Sequence, residues 1–215
     1  LASKEEIFGR VYLRNPSLEL GNETIPQPRT DIAAGQLELP AFYRRVYRLQ
    51  DVVEVDYFVP GCPPAPAQIK AVLLAVVTGN LPPRGAVVGA SERAQCDDCP
   101  RVKSEKKVRQ FLRPYELKQD PYRCLMEQGI LCAGPATRAG CGVRCPNTGV
   151  GCRGCYGPLP DVVDQGAKWL SAVASIIDSN DPQEIDAILA RVADMVGTAY
   201  RFGMPASLLQ RSMAK

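Results

Sequence analysis

The chain has 215 residues, 46% of them hydrophobic, a formal charge of +3 and no histidine. That length is compatible with one large domain or two small ones around a substantial core. The mild charge gives no basic domain of the kind nucleic acid demands, and the longest apolar run, Ala71 to Val77, is far too short to cross a bilayer. A soluble protein with no nucleic-acid partner and no membrane span is expected, and catalytic Ser/His/Asp sets and histidine metal sites are excluded. The chain begins at Leu1, so this end says nothing about a targeting segment.

From the amino end, Ser3 to Leu13 reads as a short helix, with Ser3 and Glu6 in capping-box spacing and Ile7, Phe8, Val11 and Tyr12 on one packing face. Asn15 to Pro40 holds four prolines among polar neighbours without sustained periodicity and reads as an extended surface loop of the kind that contacts partners. Asp51 to Pro60 is rich in β-branched and aromatic residues and ends at Gly61, which predicts a strand running into a turn. A helix follows, with Pro64 and Pro66 in its first turn and Ile69, Val72, Leu73, Val76 and Val77 at helical spacing, until Thr78-Gly79-Asn80 stops it. Strand, loop and helix form an α/β unit. Cys62 lies in its loop, at the carboxyl end of the strand where open parallel sheets place ligands, although a small buried thiol would fit there too.

After Leu-Pro-Pro-Arg-Gly the chain becomes cysteine-rich, with little periodicity from Ala90 to Pro160 and few hydrophobic residues for a core of its own, so bound metal is expected to supply much of its folding free energy. Arg101 to Arg113 carries six basic residues against Glu105 alone. Such a run reads either as a solvated helix face or as a patch that steers an acidic electron-transfer partner. From Asp161 the pattern returns to helix. One stripe runs through Val162, Val163, Trp169, Leu170, Val173, Ile176 and Ile177. A second helix starts with Asp181 as cap and Pro182, followed by Ile185, Ile188, Leu189, Val192, Met195 and Val196.

Eight of the nine cysteines form two groups: Cys96, Cys99, Cys124 and Cys132, then Cys141, Cys145, Cys152 and Cys155. Each group contains a Cys-x2-Cys pair, and four thiolates per group is the ligand count of either a structural zinc site or an iron–sulfur cluster. A disulfide framework suits a short secreted chain better than this length with an odd cysteine count. The spacings, Cys-x2-Cys-x24-Cys-x7-Cys and Cys-x3-Cys-x6-Cys-x2-Cys, are less regular than paired zinc knuckles. Gly140, Gly142, Gly149, Gly151, Gly154 and Gly157 interleave with the second group, leaving backbone N–H groups free to approach cluster sulfurs. Clusters are favoured, with a zinc-stapled interaction module as the alternative.

The motifs Asp-Tyr-Phe-Val-Pro-Gly-Cys-Pro-Pro, Cys-Asp-Asp-Cys-Pro-Arg, Cys-Leu-Met-Glu-Gln-Gly and Gly-Pro-Ala-Thr-Arg-Ala-Gly-Cys-Gly, spread between about Ser3 and Pro160, resemble the small, electron-transfer subunit of group 3 cytoplasmic nickel–iron hydrogenases, of the methyl-viologen-reducing or deazaflavin-reducing type. The resemblance implies three parts: the remainder of a flavodoxin-like α/β domain over 1–80, an irregular two-cluster iron–sulfur domain over 81–160 and a helical tail over 161–215. By the same resemblance, Cys62 corresponds to one ligand of a proximal cluster. Cys96, Cys99, Cys124 and Cys132 correspond to a distal 4Fe-4S cluster, and Cys141, Cys145, Cys152 and Cys155 to a medial one. The other three proximal ligands, which the family carries in its amino-terminal portion, have no counterpart in these residues. Implied partners are the nickel–iron large subunit and an iron–sulfur or flavin acceptor subunit. No catalytic residue is expected, because this chain relays electrons while its partner activates hydrogen. Arg144 and Arg153, beside medial ligands, are candidates for raising that cluster's potential.

Overall fold

A computed structural model describes residues 2–19, 21, 23–105 and 107–211, with side chains described through Leu209. It divides into two compact units, 1–46 and 47–215. Among the described residues the structure is mostly helical, with one two-stranded hairpin and an irregular cysteine-rich centre. No helix is long and apolar enough to cross a membrane.

In the first unit, α1 (Lys4–Phe8) continues into a wider π-type turn, Gly9–Leu13. Ser3 caps it: its Oγ accepts from the Glu6 N–H at 3.0 Å. Glu6 does not reach back to complete a capping box; its carboxylate takes Arg10 Nη2 at 2.8 Å, one turn on. The expected packing face is only partly used, since Phe8 meets Tyr12 and Phe42 edge-to-face while Ile7 and Val11 stay exposed. The expected loop contains a hairpin, β1 (Arg29–Ile32) paired antiparallel with β2 (Gly35–Glu38). Its turn ends at Gly35, whose φ of +132° only glycine adopts readily, and Arg29 and Glu38 pair across the strands at 3.1 Å. Every hairpin residue is exposed, so no buried apolar alternation marks it in the sequence.

The expected strand at Asp51 to Pro60 is not formed. Leu49–Asp51 makes a 3-10 turn, Val52 and Val53 face solvent, and a single parallel bridge pairs Phe58 with Val87. β-branched residues favour a strand only where a neighbour extends the ladder, and here Gly85 to Val88 comes alongside Asp56 to Phe58 and not Val52 or Val53. The following helix is present as α2 (Pro66–Val77), stopped by Thr78 and by Gly79 at φ +68°. Its apolar stripe is exposed at Ile69, Leu73 and Val77, and its one buried residue is polar Gln68.

The cysteine-rich segment holds two single-turn helices, α3 (Gln95–Asp98) and α4 (Arg144–Asn147). The tail helices are α5 (Gln165–Ala174), α6 (Pro182–Ala190) and α7 (Met195–Ala199). Asp164, Asp181 and Asp194 cap them through N–H bonds from Ala167, Gln183 and Gly197. Both predicted stripes are interrupted: Val163 precedes α5 and is exposed, and the second stripe divides between α6 and α7. The core lies where the cysteine-rich segment meets this tail. Val108, Phe111, Met126 and Ala136 pack with Trp169, Val173, Ile176 and Ile188. The cysteine segment therefore does not depend on metal alone, as its own sparse hydrophobic residues suggest; the tail supplies half of its core.

The basic run is not a helix face. Val108 docks on the tail, accepting from the Asp178 N–H at 2.9 Å while its own N–H reaches Ile176 O at 2.8 Å, and Lys107 and Arg109 pair with Asp178. Arg101 is buried. Its Nε and Nη2 donate to Pro146 O at 3.1 and 2.9 Å, and Nη1 donates to Asp120 O and Arg123 O at 2.9 and 3.1 Å. One guanidinium thus joins the chain before Cys124 to the turn after Cys145. Arg101→Ala is expected to lower stability by on the order of 3 kcal/mol, read as a fall in the thermal midpoint, because three carbonyls lose a charged donor. Arg101→Lys should recover little of this, since an ammonium lacks the planar fork.

Candidate metal centre

Cys96 sits in α3, and Cys99 follows it. That turn is closed by Asp97, whose Oδ2 accepts from the Ala94 N–H at 3.0 Å, and is held by the Gln95 N–H on Thr137 O at 2.8 Å. Cys124 arrives on a short bridge in which its N–H donates to Val102 O at 2.8 Å. Cys132 follows the Met126–Gln128 turn. The four sulfur-bearing residues line one cavity of about 230 Å³, with Met126 and Gly134 among its walls. The structure thus brings together all four residues of the first predicted group.

Gly134 is needed for close approach. A Cβ there would stand 3.0 Å from the Cys96 sulfur and 3.6 Å from that of Cys132. The bare backbone instead passes close to the Cys132 sulfur, which receives the Cys152 N–H at 3.2 Å. Burial pushes the Cys96 thiol up to about 12, reinforced by its neighbour Cys132, and burial likewise raises Cys132. A half-buried group of thiols with an N–H aimed at sulfur is the chemistry of thiolates that ionise on receiving a cation.

In the second group, Cys145 lies in α4, entered through Val143 at φ +55°. Val143 is the one non-glycine residue at positive φ among those described, and it marks a backbone turned sharply to present the following cysteine. Burial raises the Cys155 thiol, and Cys141 and Cys145 stand close enough to add to the rise, so these three are brought together. Burial also pushes Cys152 up to about 12, with repulsion from Cys132 and Cys155 on either side. Cys152 stands at the junction of the two groups. Gly154 lies beside the Cys152 sulfur, and Gly151 leaves no room for any side chain because a Cβ would collide with Leu131 O.

Cys62 is exposed, yet its backbone lies near the Cys155 sulfur, which places the isolated ninth cysteine beside the second group. A cis peptide joins it to Pro63, and a side chain at Gly61 would strike Pro64. Arg144 and Arg153 are both exposed, and Arg153 lines a separate cavity of about 340 Å³ that reaches Cys152 and is lined by Arg113, Arg191 and Arg201 with Glu116, which pairs with Arg191, and Asp194, leaving an excess of positive charge. Among the described residues no set of three Cys, Asp or Glu is arranged to hold a single metal ion.

Three residues that position the site escape a reading of cysteine spacing. Gln68 is buried, accepts from the Tyr156 hydroxyl at 2.6 Å and donates to Val88 O at 3.1 Å, tying α2 to the second group. Gln95 accepts from the Cys152 thiol at 2.7 Å. Trp169 donates to Cys132 O at 3.0 Å. The one signal for them in the sequence is a polar residue at a helical position surrounded by apolar ones, as Gln68 is.

No protein-family model matches the chain. It is 37% identical over 216 residues to the iron-sulfur subunit of the F420-non-reducing hydrogenase of Archaeoglobus profundus, spanning 98% of this chain and 66% of that protein. It is 35% identical over 220 residues to the corresponding subunit of the F420-non-reducing hydrogenase of Methanothermobacter thermautotrophicus, spanning 100% and 67%. A shorter similarity, 31% over 133 residues, joins it to the delta chain of sulfhydrogenase 2 of Pyrococcus furiosus, over 55% of this chain and 46% of that one. The chain belongs to the family of iron–sulfur subunits of the F420-non-reducing hydrogenases, and it spans about two thirds of the length of its long curated relatives.

Proposed function

We propose that this chain is the electron-relay subunit of a cytoplasmic nickel–iron hydrogenase complex, passing electrons between a hydrogen-activating large subunit and an acceptor subunit of iron–sulfur or flavin type. The observation that carries this reading is the pairing of two four-cysteine groups in direct contact, with the Cys152 N–H on the Cys132 sulfur at 3.2 Å. A relay requires its carriers to be near neighbours, whereas two independent zinc staples do not. Bound 4Fe-4S clusters would supply one-electron carriage. Cys96, Cys99, Cys124 and Cys132 would hold the distal cluster, Cys141, Cys145, Cys152 and Cys155 the medial one, and Cys62 would contribute one ligand to a proximal cluster. The residues present fit: the first group rings a cavity instead of converging on a point, the Cys152 N–H faces the Cys132 sulfur, and the backbones of Gly134 and Gly154 lie beside cysteine sulfurs.

The chain's own part is to keep these thiolates dry and hydrogen-bonded. Buried Leu125, Ala136 and Ala139 flank the cysteines and exclude water, and N–H dipoles offset the negative charge that reduction adds. The arginine-lined cavity beside Cys152 suits an acidic acceptor surface, which extends the steering expected of basic residues from the linear run to a folded patch. Iron and acid-labile sulfide, measured with low-temperature EPR on the anaerobically purified complex, test the reading. Near-equal iron and sulfide with interacting reduced-cluster signals is the expected result. Stoichiometric zinc without sulfide would replace the relay with a structural module.

A further inference from the structure

Gln95 is almost fully buried, at 3% exposure, yet it is neither a cysteine nor a member of the core. Its position is fixed at both ends. Its N–H is held by Thr137 O at 2.8 Å, and its side-chain amide accepts from the Cys152 thiol at 2.7 Å, 57 positions along the chain. It also lines the cavity of the first cysteine group, next to Cys96. It therefore stands in the wall of one group while bonding a ligand sulfur of the other. The return link is the Cys152 N–H on the Cys132 sulfur. Cys152 is thus bonded at its sulfur to Gln95 and at its N–H to Cys132, both of which line the first group's cavity.

A metal-bound cysteine is a thiolate with no proton to donate. An amide answers that change without altering its shape: a half-turn exchanges Oε1 for Nε2, which then donates to the sulfur. On the cluster reading above, we infer that Gln95 is a positioning residue that donates from Nε2 to the Cys152 thiolate and holds the second group's cluster at a higher reduction potential than its other donors alone would set. A donor aimed at sulfur stabilises the added negative charge of the reduced cluster, so it raises the midpoint. The Gly154 backbone lies beside the same sulfur in every variant. Gln95 supplies the part that substitution can remove.

The test uses the anaerobically purified complex carrying Gln95→Leu or Gln95→Glu, with iron and sulfide content and an EPR-monitored redox titration. Signals of the second cluster are identified by their persistence in a Cys99→Ser complex. The expected result is full iron and sulfide, a midpoint for the second cluster shifted downward in the leucine variant and further downward in the glutamate variant, and a smaller shift in the first cluster. Unmoved midpoints at full iron would overturn the inference. So would equal shifts of both clusters, which would mean loosened packing. If the leucine variant loses iron, the isosteric glutamate variant is read alone; loss of iron in both makes Gln95 a folding residue and also overturns the inference. A wild-type complex lacking iron and sulfide would instead sink the relay reading itself, before any variant is compared.

Discussion

Cys99→Ser is expected to slow electron delivery to the acceptor by at least roughly tenfold while hydrogen–deuterium exchange by the large subunit continues. Cys99 sits at the end of the single-turn helix α3, in the wall of the first cavity, and the helix does not need its sulfur: Asp97 closes the turn and Gln95 anchors it to Thr137. The substitution therefore removes one ligand and leaves the scaffold that presents the other three. A serine oxygen is a poorer partner for iron than thiolate, so the first cluster should be lost or converted to a smaller one. Exchange requires only the hydrogen-activating site, whereas acceptor reduction requires every carrier between. Measuring both reactions on one preparation separates a broken relay from a failed assembly. Equal loss of the two would mean that Cys99 is needed for the complex to form and would count against a relay role for the first group.

The cysteine pattern is informative because thiolate chemistry leaves few choices: four ligands per centre and the two Cys-x2-Cys pairs already separate two groups, the first of which lines one cavity. The capping aspartate Asp181, and the proline–glycine boundaries of α2, follow from backbone hydrogen bonding within a few residues of chain, which is why these helices are readable, whereas the Asp164 cap lies inside the stripe expected from Val162. Features that depend on distant partners are not. The segment at Val52 and Val53 has the propensity of a strand, yet the neighbouring chain, Gly85 to Val88, lies beside the residues that follow it. Arg101, one charge in a basic run when read along the sequence, is a buried staple because carbonyls of Asp120, Arg123 and Pro146 converge on it. Gln95 and Trp169 gain their roles from contacts 57 and 37 positions away, which no local pattern encodes. The hairpin Arg29 to Glu38 escapes notice for the opposite reason, since its residues are all exposed and show no buried face.

Trp169→Ala should cause the largest loss of stability of any substitution in the tail, about 3–5 kcal/mol. Its indole is 2% exposed, packed in the core shared with Val108, Phe111 and Met126, and its Nε1 donates to Cys132 O at 3.0 Å. Truncation opens a cavity and orphans the carbonyl of a predicted ligand in one step. Trp169→Phe separates the two contributions: it keeps most of the apolar volume and removes only the N–H, so about 1 kcal/mol is expected from the lost bond. Because that bond ends on Cys132, the consequence should extend to the metal. Iron release to a chelator is expected to run fastest in the alanine variant, intermediate in the phenylalanine variant and slowest in the wild type, following the order of thermal midpoints. If the alanine variant unfolds at a lower temperature but releases iron at the wild-type rate, the tail merely packs against the cysteine segment and does not hold the first group in register.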